Sequence, residues 1–148
     1  MNGEVRLINY DELPKLLQLY KLLHPEDPDI LNTSNLLSIW DEIYKDANLY
    51  YLVIEENKEL ISSCTLAIIK NLTRNARPYG LIENVITHPN YRRRGYGKRV
   101  IIRATDICRE NNCYKVMLLT GSKKDGTLSF YESCGFVRGL KTGFVRNL

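Results

Sequence analysis

Apolar residues recur along this chain in blocks whose spacing switches between that of strands and that of helices. Residues 5–8 read as a short first strand. Leu13, Leu16, Leu17, Tyr20 and Leu23 then fall on one face of a helix, with Asp11 placed to cap it. His24-Pro25-Glu26-Asp27-Pro28 breaks that helix, because neither proline can continue it. Thr33 or Ser34 caps a second helix, and Leu36, Leu37, Ile39, Trp40, Ile43 and Tyr44 give it a wide apolar face. Residues 50–55 and 60–70 are rich in β-branched and aromatic side chains, with Glu56-Asn57-Lys58-Glu59 as the hairpin turn between them. A polar loop over residues 71–78 holds Arg74 and Arg77, and a strand follows over residues 79–87. Val100, Ile101, Ala104, Ile107 and Cys108 make the apolar face of a third helix, which Asn111-Asn112 stop.

Beyond it, residues 114–120 alternate little and read as a buried strand, and residues 121–126 form a loop. A short helix then carries Leu128, Phe130, Tyr131 and Cys134, with Gly135 just past its end. Residues 136–140 and 142–145 can be two closing strands. The order β-α-α-β-β-β-α-β-α-β-β implies an α/β (α+β) fold, a mixed sheet with helices on both faces.

The length of 148 residues suits one domain, spanning 1–148. No apolar run reaches the roughly 20 residues of a membrane span and no signal-peptide pattern opens the chain, so a cytoplasmic location is the default. Cys64, Cys108, Cys113 and Cys134 lack C-x-x-C spacing, and only His24 and His88 can join them. Free buried thiols are therefore expected, and no metal site. The net charge of +4 is modest, and much of it sits in Arg92, Arg93, Arg94, Lys98, Arg99 and Arg103. Such concentration favours a local anion site over a broad nucleic-acid face.

That cluster follows a strand and opens a helix. A helix start leaves N–H groups unpaired and carries partial positive charge, which suits an anion. Gly95 and Gly97 let the backbone approach closely, and Arg92, Arg94 and Lys98 add donors matched to phosphate. The dinucleotide fingerprint would need glycine where Val100 stands, and the P-loop would need lysine where Thr127 stands.

What fits is Arg92-x-x-Gly95-x-Gly97 after a strand and His88-Pro89, together with Phe130-Tyr131-Glu132-Ser133-Cys134-Gly135-Phe136 on the last helix. Both motifs, and the order of elements over nearly the whole chain, resemble the GNAT superfamily of acetyl-CoA-dependent N-acetyltransferases. The resemblance implies a mostly antiparallel sheet of six to seven strands and acetyl-CoA as co-substrate. It implies that the backbone of Val85, Ile86 and Thr87 holds the pantetheine arm. The amides from Arg92, Arg93 and Arg94 through Gly95, Tyr96 and Gly97, together with Lys98, would cradle the pyrophosphate.

Tyr131 matches the tyrosine that meets the CoA sulfur in many members, where a phenol can protonate the leaving thiolate. Glu83 lies in an otherwise apolar strand and, with period two, shares a face with Leu81 and Val85. Burying such a carboxylate is costly, and many family members use one near here to accept the amine proton. Asn84, on the opposite face, is a weaker candidate. Tyr20, His24 and Trp40 are candidates for the acceptor wall. Lys124-Asp125-Gly126-Thr127 departs from the family, which often has an asparagine there.

The function expected is transfer of acetyl to a primary amine of a small molecule or peptide, by direct attack in a ternary complex. Ile82-Glu83-Asn84-Val85 resembles amino-sugar acetyltransferases of the superfamily; a peptide N-terminus, lysine, polyamine or aminoglycoside stays open. No nucleic-acid or membrane partner is expected, and a homodimer is compatible. Two rivals remain at this point. A non-catalytic CoA-binding module would release no CoA, and a nucleic-acid-binding domain would show steeply salt-dependent binding.

Overall fold

The computed structural model describes residues 3–30 and 34–148. Five strands form one sheet in the order β1-β2-β3-β4-β5: Arg6–Leu7, Leu49–Glu56, Glu59–Ile69, Tyr79–Thr87 and Val116–Leu118. The first four pair antiparallel and β5 runs parallel to β4. The helices are α1 (Leu13–Leu23), α2 (Ser34–Lys45), α3 (Tyr96–Glu110) and α4 (Asp125–Ser133).

Strand alternation sorts the core into two layers. Leu52, Ile54, Ile61, Cys64, Leu66 and Ile82 pack beneath α3, against Val100, Ile101 and Ala104. Val53, Leu60 and Ile86 face the other way, onto Leu16 and Leu19 of α1 and Trp40 of α2. All five residues expected on the α3 stripe are buried. Truncating Ile101 to alanine would cost about 2–5 kcal/mol by transfer and cavity terms.

Several expectations change. Asp11 is not a cap: Asn9 and Glu12 form a capping box ahead of a short 3-10 turn, from which α1 continues. Thr33 lies outside the described residues. Of the wide α2 face only Trp40 is buried, while Leu37, Ile39 and Tyr44 stay exposed, because one edge alone meets α1 and β2. The 71–78 loop includes one turn, Thr73–Ala76, with left-handed residues at Arg74, Asn75 and Ala76.

The expected buried strand over 114–120 shrinks to Val116–Leu118, with Met117 and Leu119 exposed, because β5 is the sheet edge. Neither closing strand forms among the described residues, so the sheet has five strands rather than six or seven. Val137, Leu140, Phe144 and Val145 are exposed, so this β-prone tail finds no partner strand among the described residues.

Candidate active site

The site is built where β4 parts from β5. Pairing between them covers Gly80, Leu81 and Ile82 against Val116, Met117 and Leu118, and then stops. On its other edge β4 remains paired to β3 as far as Thr87, which faces Ser62. Residues 83–87 thus present one unpaired edge, whose N–H and C=O groups are open to an extended ligand. The Ser62 hydroxyl steadies this end through the Thr87 hydroxyl at 2.9 Å and the Ile86 carbonyl at 3.2 Å.

Past Thr87 the chain turns through Pro89–Tyr91 into the arginine-rich segment. Arg93 (φ 60°) and Gly95 (φ 82°) adopt left-handed conformations, and Gly95 caps α3. The Arg99 N–H reaches the Gly95 carbonyl at 3.1 Å, so the amides just before it project without a helical acceptor. The arginines divide their work. Arg92 donates to the Thr87 carbonyl at 3.1 Å, and Arg94 stacks 5.4 Å from the Tyr91 ring. Arg99 lies over Tyr96 and donates to the Gly3 carbonyl. Arg93 and Lys98 are exposed at the turn. The Tyr96 side chain is buried with its hydroxyl on the Glu56 carboxylate, so it anchors α3 to the hairpin and only its backbone is left for a ligand.

Glu83 departs from the expectation in two ways. It is exposed rather than buried, and it does not share a face with Val85. The cause is a bulge: Asn84 takes φ 51°, and the β3–β4 register slips between Ser63 and Thr65. Ile82 and Val85 both pack beneath α3, whereas Glu83 stands directly opposite Thr65 on the α1 side. Its exposure at the parting of the strands removes the desolvation cost that seemed to demand a partner.

Across the opening stands α4. Tyr131 is half-buried, with Phe130 at 5.0 Å and Phe136 at 6.4 Å between ring centroids. Burial pushes its phenol above the ordinary value, and Cys134, Cys64 and Glu83 add to the shift, so Glu83 lies within electrostatic reach. Gly135 (φ 95°) ends the helix as expected. In place of the family's asparagine, Ser122 receives the Lys124 N–H at 3.3 Å and bonds the Thr127 hydroxyl at 3.1 Å, holding the start of α4.

The third wall is formed by α1, α2 and β2 around a cavity of about 510 Å³. Tyr20 and Trp40 line it, whereas His24 is exposed, 3.7 Å from Glu26. The Tyr20 hydroxyl lies 3.3 Å from the Thr65 hydroxyl, and burial pushes its phenol up to about 12. Tyr51, Ser63 and Thr65 were not anticipated. The polar run Ser62-Ser63-Cys64-Thr65 inside a strand of Leu and Ile was the available signal.

The model of the acetyltransferase (GNAT) family matches residues 16–136. The chain belongs to that family. As a member it is an acetyl-CoA-dependent acetyltransferase. It is 33% identical over 135 residues to a glucosamine 6-phosphate N-acetyltransferase of Trypanosoma brucei brucei, covering 90% of this chain and 88% of that one. A solved putative acetyltransferase from Agrobacterium tumefaciens str. C58 superposes with a TM-score of 0.92 at 41% identity, covering 98% of this chain and 99% of the other. An aminoglycoside N-acetyltransferase solved with CoA superposes at 0.80 with 20% identity, covering 99% and 95%, a likeness of fold. The unpaired β4 edge and the open amides at the α3 start fit the acetyltransferase's co-substrate, an extended thioester with a pyrophosphate.

Proposed function

We propose that this acetyltransferase moves acetyl from acetyl-CoA to a primary amine by direct attack, with both substrates bound together in one domain. The observation that carries the reading is that β4 parts from β5 after Ile82, leaving an open backbone edge at residues 83–87, with Glu83 on that stretch and within electrostatic reach of the Tyr131 phenol. The backbone of Val85, Ile86 and Thr87 would hold the pantetheine arm. The amides of residues 92–98, with the charges of Arg93 and Lys98, would hold the pyrophosphate.

An ammonium has no lone pair, so the Glu83 carboxylate takes one proton from the amine, directly or through water. The neutral nitrogen attacks the thioester carbonyl, and the C–S bond breaks as the tetrahedral centre collapses. The Tyr131 hydroxyl gives its proton to the departing sulfur, which leaves as a thiol, and the second proton lost by the nitrogen returns to the phenolate. The products are an amide, free CoA and one proton.

The relatives' names make glucosamine 6-phosphate the first acceptor to assay. Four free cysteines fit a reducing, cytoplasmic setting. The exposed Val137, Leu140, Phe144 and Val145 support association with a second copy of the chain, which sedimentation at several concentrations would detect. Release of free CoA from acetyl-CoA over a panel of amines tests the central reading. Tight acetyl-CoA binding with no amine-dependent release would leave the non-catalytic module instead.

A further inference from the structure

The cavity between α1 and α2 has a chemical character that the amine-acetylation reading leaves unused. Its walls are Leu16, Leu17, Leu36, Ile39, Trp40 and Ile43 among others, and none of the described residues lining it is charged. At about 510 Å³ it has the size of a small-molecule site. A phosphorylated sugar would bring a dianion and a shell of hydroxyls into this space. Both would lose water without gaining a cation or enough hydrogen bonds.

One end of the cavity is different. Tyr51, Thr65 and Glu83 are successive register partners across β2, β3 and β4, so their side chains form a row on the α1 face of the sheet. Tyr20 reaches the same row from α1, with its hydroxyl 3.3 Å from that of Thr65. The Ser63 hydroxyl, on the same face opposite Val53, is fully buried and makes no hydrogen bond of good geometry, with the Tyr20 phenol as its neighbour. Ser63 does not itself line the cavity, but Tyr20, which does, connects it to that space, and a ligand's polar head could share these hydroxyls. The row leads from the cavity, which Tyr20 and Tyr51 line, to the carboxylate assigned to deprotonation.

We infer that the acceptor is a primary amine with an apolar body, such as an arylalkylamine, whose hydrocarbon part occupies the α1–α2 cavity while its amine lies at the hydroxyl row beside Glu83. The apolar walls then select the body, and Tyr20, Tyr51, Ser63 and Thr65 orient the nitrogen toward Glu83. This inference rests on the N-acetyltransferase reading and adds the acceptor class to it.

The test compares 2-phenylethylamine and n-hexylamine with glucosamine 6-phosphate and glucosamine, in wild type and Ile39→Lys. Ile39 lines the cavity yet is 46% exposed, so a lysine there can keep its charge in water and spare the fold. Unchanged acetyl-CoA affinity in calorimetry checks that the variant is folded. The expected result is a kcat/KM for phenylethylamine at least tenfold above that for the phosphosugar, and at least a tenfold rise in its KM in Ile39→Lys. A preference for glucosamine 6-phosphate, or an unchanged phenylethylamine KM in the variant, overturns the inference while leaving amine acetylation standing. Acetyl-CoA binding without turnover of any amine would remove both.

Discussion

Gly97 and Phe130 meet across the site, the first at the start of α3 and the second on α4. A Cβ on Gly97 would lie 3.2 Å from Phe130 Cζ and 3.1 Å from the Thr87 hydroxyl. The glycine thus sets how closely α3 and α4 approach the end of β4, beside the amides assigned to the pyrophosphate. Gly97→Val would force its branched side chain into that contact. Acetyl-CoA should bind at least tenfold more weakly, about 1.4 kcal/mol. Isothermal calorimetry on the folded variant reads this directly, and an unchanged Kd would show that the gap plays no part in cofactor binding.

Gly95 serves a different need. An added Cβ would meet nothing within 4 Å, but the residue sits at φ 82°. Gly95→Ala should therefore cost backbone energy rather than space, on the order of 1 kcal/mol in urea unfolding. Gly95→Asn should cost less, since asparagine tolerates the left-handed region. Equal losses would contradict a conformational origin.

Apolar periodicity located α1 to α4, and for α3 the whole stripe is buried, whereas α2 buries Trp40 alone and α4 only half-buries its apolar residues. It overshot after Gly135, where Val137, Leu140, Phe144 and Val145 have the composition of strands. A strand is completed only by a partner, which composition does not reveal. It misplaced Glu83 for a related reason: counting by twos assumes an unbroken ladder, and Asn84 breaks it. An asparagine within a strand was the one local hint. The place of the glycine turn at a helix start and of Tyr131 on the last helix was legible because short motifs carry them. The row Tyr51–Thr65–Glu83 was not, because it exists only once three strands fall into register.

The capping residue that sequence reading passed over has its own consequence. Glu12 is buried at the start of α1, where Arg6 grips it through two contacts of 2.8 Å and the Asn9 amide adds a third at 2.9 Å. The Arg6 hydrogen bonds, followed by that of Asn9, hold its carboxyl at about 2, against an ordinary 4.5. A depressed carboxyl contributes stability that is complete above the unfolded value and is lost as pH falls through the folded one. Urea midpoints should therefore fall between about pH 4.5 and 2. With allowance for solvent around Arg6, the contribution is on the order of 2 kcal/mol. Glu12→Gln should show that loss at neutral pH and converge on wild type in acid. A constant gap at every pH would mean that packing, not charge, is what the substitution removes.

Glu83 stands at the parting of β4 and β5 with Thr65 beside it. Glu83→Gln keeps shape and removes only the basic oxygen. Turnover should drop by roughly 10² to 10⁴, with acetyl-CoA affinity nearly intact. Steady-state kinetics across pH on the true acceptor measures this. Retention of wild-type turnover would assign the proton to water or another group.

Tyr131 brings position and protonation together. Its ring is held by Phe130 and Phe136, yet its hydroxyl has no hydrogen-bond partner among the described residues, so it is available to a ligand. Burial raises its pKa, with nearby acidic groups adding to the effect, so the phenol stays protonated beyond its usual range. A protonated phenol is the form that can donate to a leaving sulfur, so activity that needs this donor should persist above pH 10. Tyr131→Phe keeps the ring and its packing and removes the donor alone. The expected outcome is a kcat lower by about tenfold to a thousandfold, with little change in KM for acetyl-CoA, as befits an interaction made mainly in the transition state. The alkaline limb should flatten in the variant. A thioester with a more acidic thiol leaves with less help, so the loss should shrink along a series of such donors. If instead every thioester suffers equally, the hydroxyl holds the substrate in place and donates no proton.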